Sequence, residues 1–165
     1  MNKNEEIIKE IKKSFKLIHD SDFSGRKNWT MAFLNKLREL GEKNGYTVYP
    51  NSEEGEWLFD HCWSEENKGG NWIENFKGLK LICESEWNTD HEDIIYDFQK
   101  LAVGKAEIKI MIVQCNGNDE YEILLRKIEN AVDSSLIEKD SQYILVASDN
   151  KGELKFTPLW NNNHK

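Results

Sequence analysis

The sequence predicts an α/β fold in which helices flank a mixed central sheet. Segments with apolar residues at helical spacing alternate along the chain with short apolar, β-branched runs, a pattern typical of sheets covered by helices. The most apolar run, AEIKIMIVQC at residues 106–115, favours a central strand that is buried on both faces. Because the chain has 165 residues, enough for one full core, we expect a single domain over residues 1–165.

The first half of the chain predicts two helices and a short strand. Isoleucines and a phenylalanine recur at helical spacing over residues 4–19, with charged residues between them, which indicates an amphipathic N-terminal helix. Asn28 is a candidate N-cap for a second helix over about residues 29–43. Asn44 and Gly45 then supply a stop signal, and residues 46–49, YTVY, form the first predicted strand.

Two further strands and a helix follow. The second strand is predicted at residues 56–63, EWLFDHCW, and the third at residues 79–87, LKLICESEW. Residues 64–78 are polar and contain glycines, so they are predicted to connect these strands. A helix over residues 91–103, capped by Asn88 to Asp90, is predicted before the apolar strand at residues 106–115.

The last part of the chain predicts an amphipathic helix over residues 119–135 and two strands, at residues 143–148 and 153–159, joined by the hairpin signal DNKG. Within the single domain we therefore expect a core over about residues 29–114. The N-terminal helix precedes this core, and the C-terminal helix and hairpin, residues 119–159, follow it.

Composition limits the classes of function. The charged N-terminus and the lack of any run of 18 apolar residues predict a soluble, cytoplasmic protein without a membrane partner. The three cysteines have no C-x-x-C spacing, so reduced core thiols are expected rather than a zinc site. The net charge of −8 disfavours nucleic-acid binding, although four lysines make residues 9–16 locally basic. Those lysines are equally compatible with an ordinary solvated helix face.

Two acids in the third predicted strand need partners. Glu84 and Glu86 lie two residues apart, so their side chains point to the same face of the strand. If the second and third strands pair, Asp60 faces these acids, and neighbouring like charges are destabilising without a counter-charge. A divalent cation is one candidate, because hard cations prefer oxygen ligands. Lys100, one turn after Asp97 in the next helix, is the other.

These residues resemble the PD-(D/E)XK nuclease superfamily, which includes restriction and repair endonucleases. The resemblance covers about residues 29–114 and consists of an initial helix, Asp60 in WLFDHCW, the acid pair in Glu84-Ser85-Glu86, a helix and an apolar strand. Position 86 holds Glu where the family usually has Lys. Some members carry Glu-x-Glu there, and others place the Lys on the next helix, where this chain has Lys100 in YDFQKL.

The resemblance implies a restriction endonuclease-like α-β-β-β-α-β core and hydrolysis of nucleic-acid phosphodiesters with Mg²⁺ or Mn²⁺, in a defence or mobile-element system. Asp60, Glu84 and Glu86 would hold the metal, with Glu86 alternatively orienting and deprotonating the attacking water. Lys100 would stabilise charge on the phosphate, and Glu39 would be an auxiliary acid. The implied partner is nucleic acid, with DNA expected before RNA, and cutting both strands of a duplex would favour a homodimer.

Each of these residues also has a structural interpretation. The acid pair could form the solvent face of a half-exposed strand, and Asp60 could cap a turn or pair with Lys80. Lys100 and Glu39 could be ordinary exposed helix residues. A second class of function therefore stays open, in which a noncatalytic module of immunity or antitoxin type presents its acidic surface to a basic protein.

Overall fold

A computed structural model of the chain describes residues 2–18, 26–50, 58–66, 76–88, 90–149 and 153–160. These ranges contain four α-helices and six strands, which confirms the predicted α/β class. The helices are α1 (Lys3–Ile18), α2 (Arg26–Lys43), α3 (His91–Val103) and α4 (Asn118–Ala131). The strands are β1 (Thr47–Tyr49), β2 (His61–Glu66), β3 (Phe76–Glu86), β4 (Ala106–Gln114), β5 (Gln142–Ser148) and β6 (Leu154–Leu159).

The described strands form one mixed, open sheet in the order β1-β2-β3-β4-β5-β6. β1 and β2 are antiparallel, β4 and β5 are parallel, and β5 and β6 are antiparallel. The chain divides into two compact units, Met1–Leu81 and Ile82–Lys165, and the boundary falls within β3.

In the first unit, α1 packs on α2 through aromatic side chains. Of the apolar positions predicted for the N-terminal helix, Ile8 is half-buried and the other four are buried: Ile7, Ile11, Phe15 and Ile18. Phe15 meets Phe33 of α2 edge to face, with ring centroids 4.7 Å apart. Tyr46 stacks on Trp63 of β2 at 5.5 Å. The Phe15–Phe33 contact is part of the burial of the apolar face of α1, and such burial provides the main stabilisation of an amphipathic helix.

In the second unit, the parallel strands β4 and β5 form the apolar centre. Every residue of β4 from 108 to 113 is buried, as predicted for a central strand. α3 and α4 add their apolar faces, whose buried members are Ile94, Phe98, Leu101, Ala102, Tyr121, Leu124 and Ile128. Ile123, expected on the buried face of α4, is instead 45% exposed. Ile123, Leu124 and Leu125 are three successive apolar residues, which cannot all face one side of a helix.

Several predicted boundaries were wrong. α2 begins at Arg26, so Asn28 lies inside the helix and is not its N-cap. β2 covers His61–Glu66 rather than residues 56–63, while β3 begins earlier than predicted, at Phe76. α4 ends at Ala131 because Val132 is extended and the Asp133 carboxylate then caps a 3-10 turn by accepting from Ser135 N. Residues 51–57, most of the predicted 64–78 connection and DNKG residues 150–152 lie outside the described ranges.

A lysine is buried inside the second unit. The Lys109 side chain, on β4, has no exposed surface, and its Nζ lies 2.9 Å from Glu138 Oε2. It also donates to the Tyr143 hydroxyl at 2.9 Å and lies 4.7 Å from the centre of that ring. Ser141 Oγ contacts the same Glu138 oxygen at 2.8 Å. A buried charge is tolerated only with such partners, so this network attaches the segment before β5 to the sheet.

Acid should weaken this network. Burial raises the pKa of Glu138, but the hydrogen bonds from Lys109 and Ser141 and the charges of Lys109 and Lys105 lower it by more, so the net pKa lies below its ordinary 4.5. The stabilisation is therefore present above pH 4.5 and is lost as the pH falls through the pKa of the folded state. We expect urea titrations to show a shallower loss of stability below pH 4.5 for Glu138→Gln than for wild type. Equal slopes would contradict the assignment.

Gly41 provides a test of packing in the first unit. A Cβ at this position would lie 2.6 Å from Val48 Cγ2 and 2.8 Å from Trp63 Nε1, and both of these side chains are buried. Helix propensity alone predicts that Gly41→Ala stabilises the protein by about 1 kcal/mol. Because overpacking costs about 1–3 kcal/mol, we expect a net loss of about 1 kcal/mol in urea unfolding. Asn35→Ala, at an exposed position of α2, is the control. A gain in stability for Gly41→Ala would show that Val48 and Trp63 shift to accommodate the added methyl group.

Candidate active site

The candidate site is built on the end of β3 and the helix that follows it, both in the second unit. Glu84 follows the fully buried residues Leu81, Ile82 and Cys83, and is itself only 1% exposed. It is the last of five successive buried residues of β3, which begin at Lys80. A carboxylate in this environment is costly to ionise unless a positive group lies against it.

Lys100 of α3 supplies that positive group. Its Nζ lies 2.6 Å from Glu84 Oε1, a short charge-assisted contact, and 3.3 Å from Asp97 Oδ1. Asp97 is three residues earlier on the same helix, so the helix spacing places it beside the ammonium group. The sequence-based expectation that Lys100 reaches back to an acid of the preceding strand matches this geometry. The three side chains form the Glu84–Lys100–Asp97 cluster.

The charge state of Lys100 follows from these contacts. Burial lowers the pKa of Lys100, but the hydrogen bond from Lys100 to Glu84, the charges of Glu84 and Asp97, and the contact with Asp97 raise it by more. The net pKa therefore lies above the ordinary 10.5, and Lys100 is an ammonium ion at neutral pH. The Lys100 side chain is 35% exposed, whereas the Glu84 side chain is 1% exposed.

Glu86 lies at the end of β3 and contributes to the connection into α3. Its carboxylate accepts a hydrogen bond from the backbone N–H of Asn88. The Asn88 amide donates to Asp93 at 2.9 Å, and the Asp90 carboxylate accepts from Glu92 N at 3.0 Å as the N-cap of α3. The predicted capping role of Asp90 is confirmed. These bonds fix where α3 begins and hence where Lys100 lies.

The other two predicted site residues belong to the first unit. Asp60 is half-buried in a bend directly before β2. The prediction of a strand over residues 56–63, which would place Asp60 inside it, was therefore wrong, because pairing with β1 extends along β2 from Cys62 to Ser64. Glu39 is on α2, where its exposed carboxylate lies 2.6 Å from Lys36 Nζ.

His61, to which the sequence assigned no role, is a buried structural residue. Trp63 Nε1 donates to His61 Nε2 at 3.1 Å. Burial, helped by the charge of Arg38, lowers the pKa of His61 to about 3, so the imidazole is neutral at physiological pH. The proton-transfer chemistry that exposed histidines perform near pH 7 is therefore not available at this side chain.

The cysteines are buried and free of disulfides. Burial raises the pKa of Cys62 to about 12. Burial also raises the pKa of Cys115 to about 12, with a further contribution from the negative charge of Glu120. Both are thiols at neutral pH and so are poor nucleophiles.

The donor set of the cluster suits a hard cation. Within the described ranges, no group of three or more His, Cys, Asp or Glu side chains is arranged to hold a metal. Mg²⁺, however, commonly uses only one or two protein carboxylates and completes its shell with water and substrate oxygens. Glu84 is the carboxylate of the cluster that would serve as such a ligand, with Asp97 as its neighbour on the other side of Lys100.

The structure also contains a cavity that the sequence did not predict. It has a volume of about 380 Å³ and lies where the parallel strands β4 and β5 end, a position that often binds ligands in α/β folds. Its lining includes Cys115, Asn118, Tyr121, Asp149 and Lys155. Lys155 is already engaged there, 3.2 Å from Glu122 and 3.6 Å above the Tyr121 ring. The cavity contains none of the predicted site residues.

No family model, no curated protein and no solved structure matches this chain. None of the helices in the described part of the chain is long and apolar enough to cross a membrane. Because a fold does not by itself define a function, the functional assignment depends on the side chains of the site.

The Glu84–Lys100 contact has a measurable structural consequence. Lys100→Met removes the ammonium group and leaves Glu84 buried beside an apolar chain. We expect a loss of about 3 kcal/mol in urea unfolding, the lower end of the range for a broken buried pair because Lys100 is partly exposed. The double variant Glu84→Leu/Lys100→Met should recover most of this loss, since it leaves no buried charge.

A matched control is Lys36→Met, which breaks the exposed Lys36–Glu39 pair and should change stability by less than about 0.5 kcal/mol. If Lys100→Met and Lys36→Met lower the free energy of unfolding by the same amount, Lys100 does not neutralise a buried charge on Glu84.

Proposed function

We propose that this protein is a metal-dependent nuclease that hydrolyses nucleic-acid phosphodiesters with Mg²⁺ or Mn²⁺. The observation that carries the proposal is the 2.6 Å contact between Glu84, near the end of a buried strand, and Lys100 of the following helix. The PD-(D/E)XK family that the chain resembles usually has a lysine at the position of residue 86, where this chain holds Glu. The contact supports the view that Lys100 takes over that role from the helix.

In this proposal Glu84 is a ligand of the catalytic metal ion. A bound divalent cation polarises the phosphate and lowers the pKa of a coordinated water. Glu84 is suited to holding such an ion because its environment excludes bulk water and so strengthens electrostatic interactions. Lys100 neutralises the buried carboxylate when no cation is present, which keeps the folded protein stable before substrate binds.

Lys100 has a second role once the phosphate of the substrate binds. Its raised pKa keeps the ammonium charged, so Lys100 serves to stabilise negative charge developing on the phosphoryl oxygens and not to accept a proton. Asp97 positions it, since Asp97 Oδ1 lies 3.3 Å from Lys100 Nζ. The proton of the attacking water therefore needs another acceptor, for which Glu86 is our candidate.

The remaining residues enter the proposal through the sequence resemblance alone. Asp60 is proposed as a further metal ligand and Glu39 as an auxiliary acid, both from the first unit. DNA is the substrate we propose first, and a homodimer would provide two sites for the two strands of a duplex. A role in a defence or mobile-element system is likewise a proposal drawn from the resemblance.

The net charge of −8 favours one competing function, a noncatalytic module that binds a basic protein through its acidic surface. In that case the Glu84–Lys100 pair would be purely structural. The two functions differ in one observable, because only the nuclease cleaves nucleic acid in a metal-dependent reaction.

The decisive experiment incubates the purified protein with labelled DNA and RNA, with Mg²⁺, with Mn²⁺ and with EDTA. We expect cleavage that requires the metal and that falls by at least about 100-fold in Glu84→Gln, since such electrostatic groups contribute about 10²–10³ to the rate. Lys100→Met should show a similar loss, and Lys100→Arg should retain part of the activity because it keeps the positive charge. Asp60→Asn tests the residue assigned by resemblance.

Glu129→Gln, at an exposed position of α4, is the control and should cleave as wild type does. Thermal unfolding of each variant separates lost chemistry from lost folding. Absence of cleavage in all conditions, together with no cation binding by calorimetry, would exclude the nuclease and favour the binding module.

A further inference from the structure

A row of exposed lysines lies along one side of α1. Lys9, Lys13 and Lys16 are all exposed, and we call them the α1 lysine face. At 3.6 residues per turn, their side chains fall within an arc of about 60°. The buried residues of α1, Ile7, Ile11, Phe15 and Ile18, lie on the opposite side of the helix. Because the packing of the buried side fixes the orientation of α1 in the first unit, the lysines lie on the side of the helix that faces away from the core.

Two of the three acids of α1 contact other groups, and the third, Glu6, is exposed. The Glu10 carboxylate lies 2.9 Å from Lys43 Nζ, and Glu5 accepts from the backbone N–H of Asn2 at 3.0 Å. Among the residues that the structure describes, no ion pair within 4.0 Å involves any lysine of the α1 lysine face. In a chain with a net charge of −8, this face is a local concentration of positive charge.

The spacing of the face matches a phosphate backbone. Seven residues separate Lys9 from Lys16, which corresponds to about 10 Å along a helix. One strand of a duplex carries a phosphate about every 3.4 Å of its axis, so about three phosphates occupy the same length. Three lysines can therefore each contact one phosphate.

We propose that the α1 lysine face binds the phosphate backbone of a polynucleotide. The inference rests on the proposed function, because it identifies the face as a contact for the nucleic-acid substrate. An anionic membrane surface is disfavoured, since helices that bind membranes need a free apolar face and that of α1 is buried within the first unit. Contacts of this kind position the polynucleotide without reading its sequence.

The test compares two triple variants of the full chain with the same change in charge. Lys9→Gln/Lys13→Gln/Lys16→Gln removes the face, and Lys77→Gln/Lys105→Gln/Lys127→Gln removes three exposed lysines from other elements. Binding to a fluorescein-labelled DNA duplex is measured by anisotropy in EDTA at several salt concentrations, so that cleavage does not contribute. For the first variant we expect the slope of log K against log salt to fall by about 2.7, or about 0.9 per lost phosphate contact.

The same variant should bind at least about tenfold more weakly at low salt, whereas the control variant should stay within about twofold of wild type. Equal effects of the two variants, or no binding of wild type to the duplex, would overturn the inference. So would lysine-dependent binding to phosphatidylserine vesicles without binding to DNA.

Cleavage by wild type, measured separately, distinguishes the two proposals. Glu84-dependent cleavage that does not change when the α1 lysine face is removed overturns the inference and retains the proposal that the protein is a nuclease. Binding that depends on the face without metal-dependent cleavage retains the inference and overturns the nuclease.

Discussion

The charge of Glu84 constrains everything around it. A carboxylate that is 1% exposed must lie against a positive group, and Lys100 meets it at 2.6 Å. This requires α3 to begin at a fixed place, which the hydrogen bonds of Glu86 and Asp90 in the connection provide. The end of β3, the turn after it and the first three turns of α3 thus form one electrostatic unit, whose polar groups also form the candidate site.

In the described part of the second unit, the Lys109–Glu138 and Glu84–Lys100 ion pairs each place one charged side chain in the core, but they differ in how much of the lysine is exposed. The Lys109 side chain has no exposed surface and lies against Glu138 and Tyr143. Lys100 keeps about a third of its side chain exposed while its partner is buried. Of these two pairs, only the second has a lysine side chain that is partly exposed. The first therefore stabilises the sheet, and the second is where we place the chemistry.

The total charge of the chain is a poor guide to its partners. The value of −8 is a sum over all residues and does not say where the charges lie. On α1, Lys9, Lys13 and Lys16 are exposed on one side of the helix. Long-range repulsion of a polynucleotide is screened within about 10 Å at ordinary salt, so a local row of lysines can dominate close contact.

The sequence by itself determined the elements that depend on local periodicity. The helix predicted at residues 91–103 has those bounds in the structure, and α1 and β4 differ from their predictions by a residue. It also placed Lys100 within reach of the strand acids, because that contact joins neighbouring elements. Only the tertiary structure decided where β2 begins, since pairing with β1 sets its length. The partners of Lys109 were likewise beyond prediction, because Tyr143 is 34 residues away and becomes its neighbour only when β4 and β5 pair.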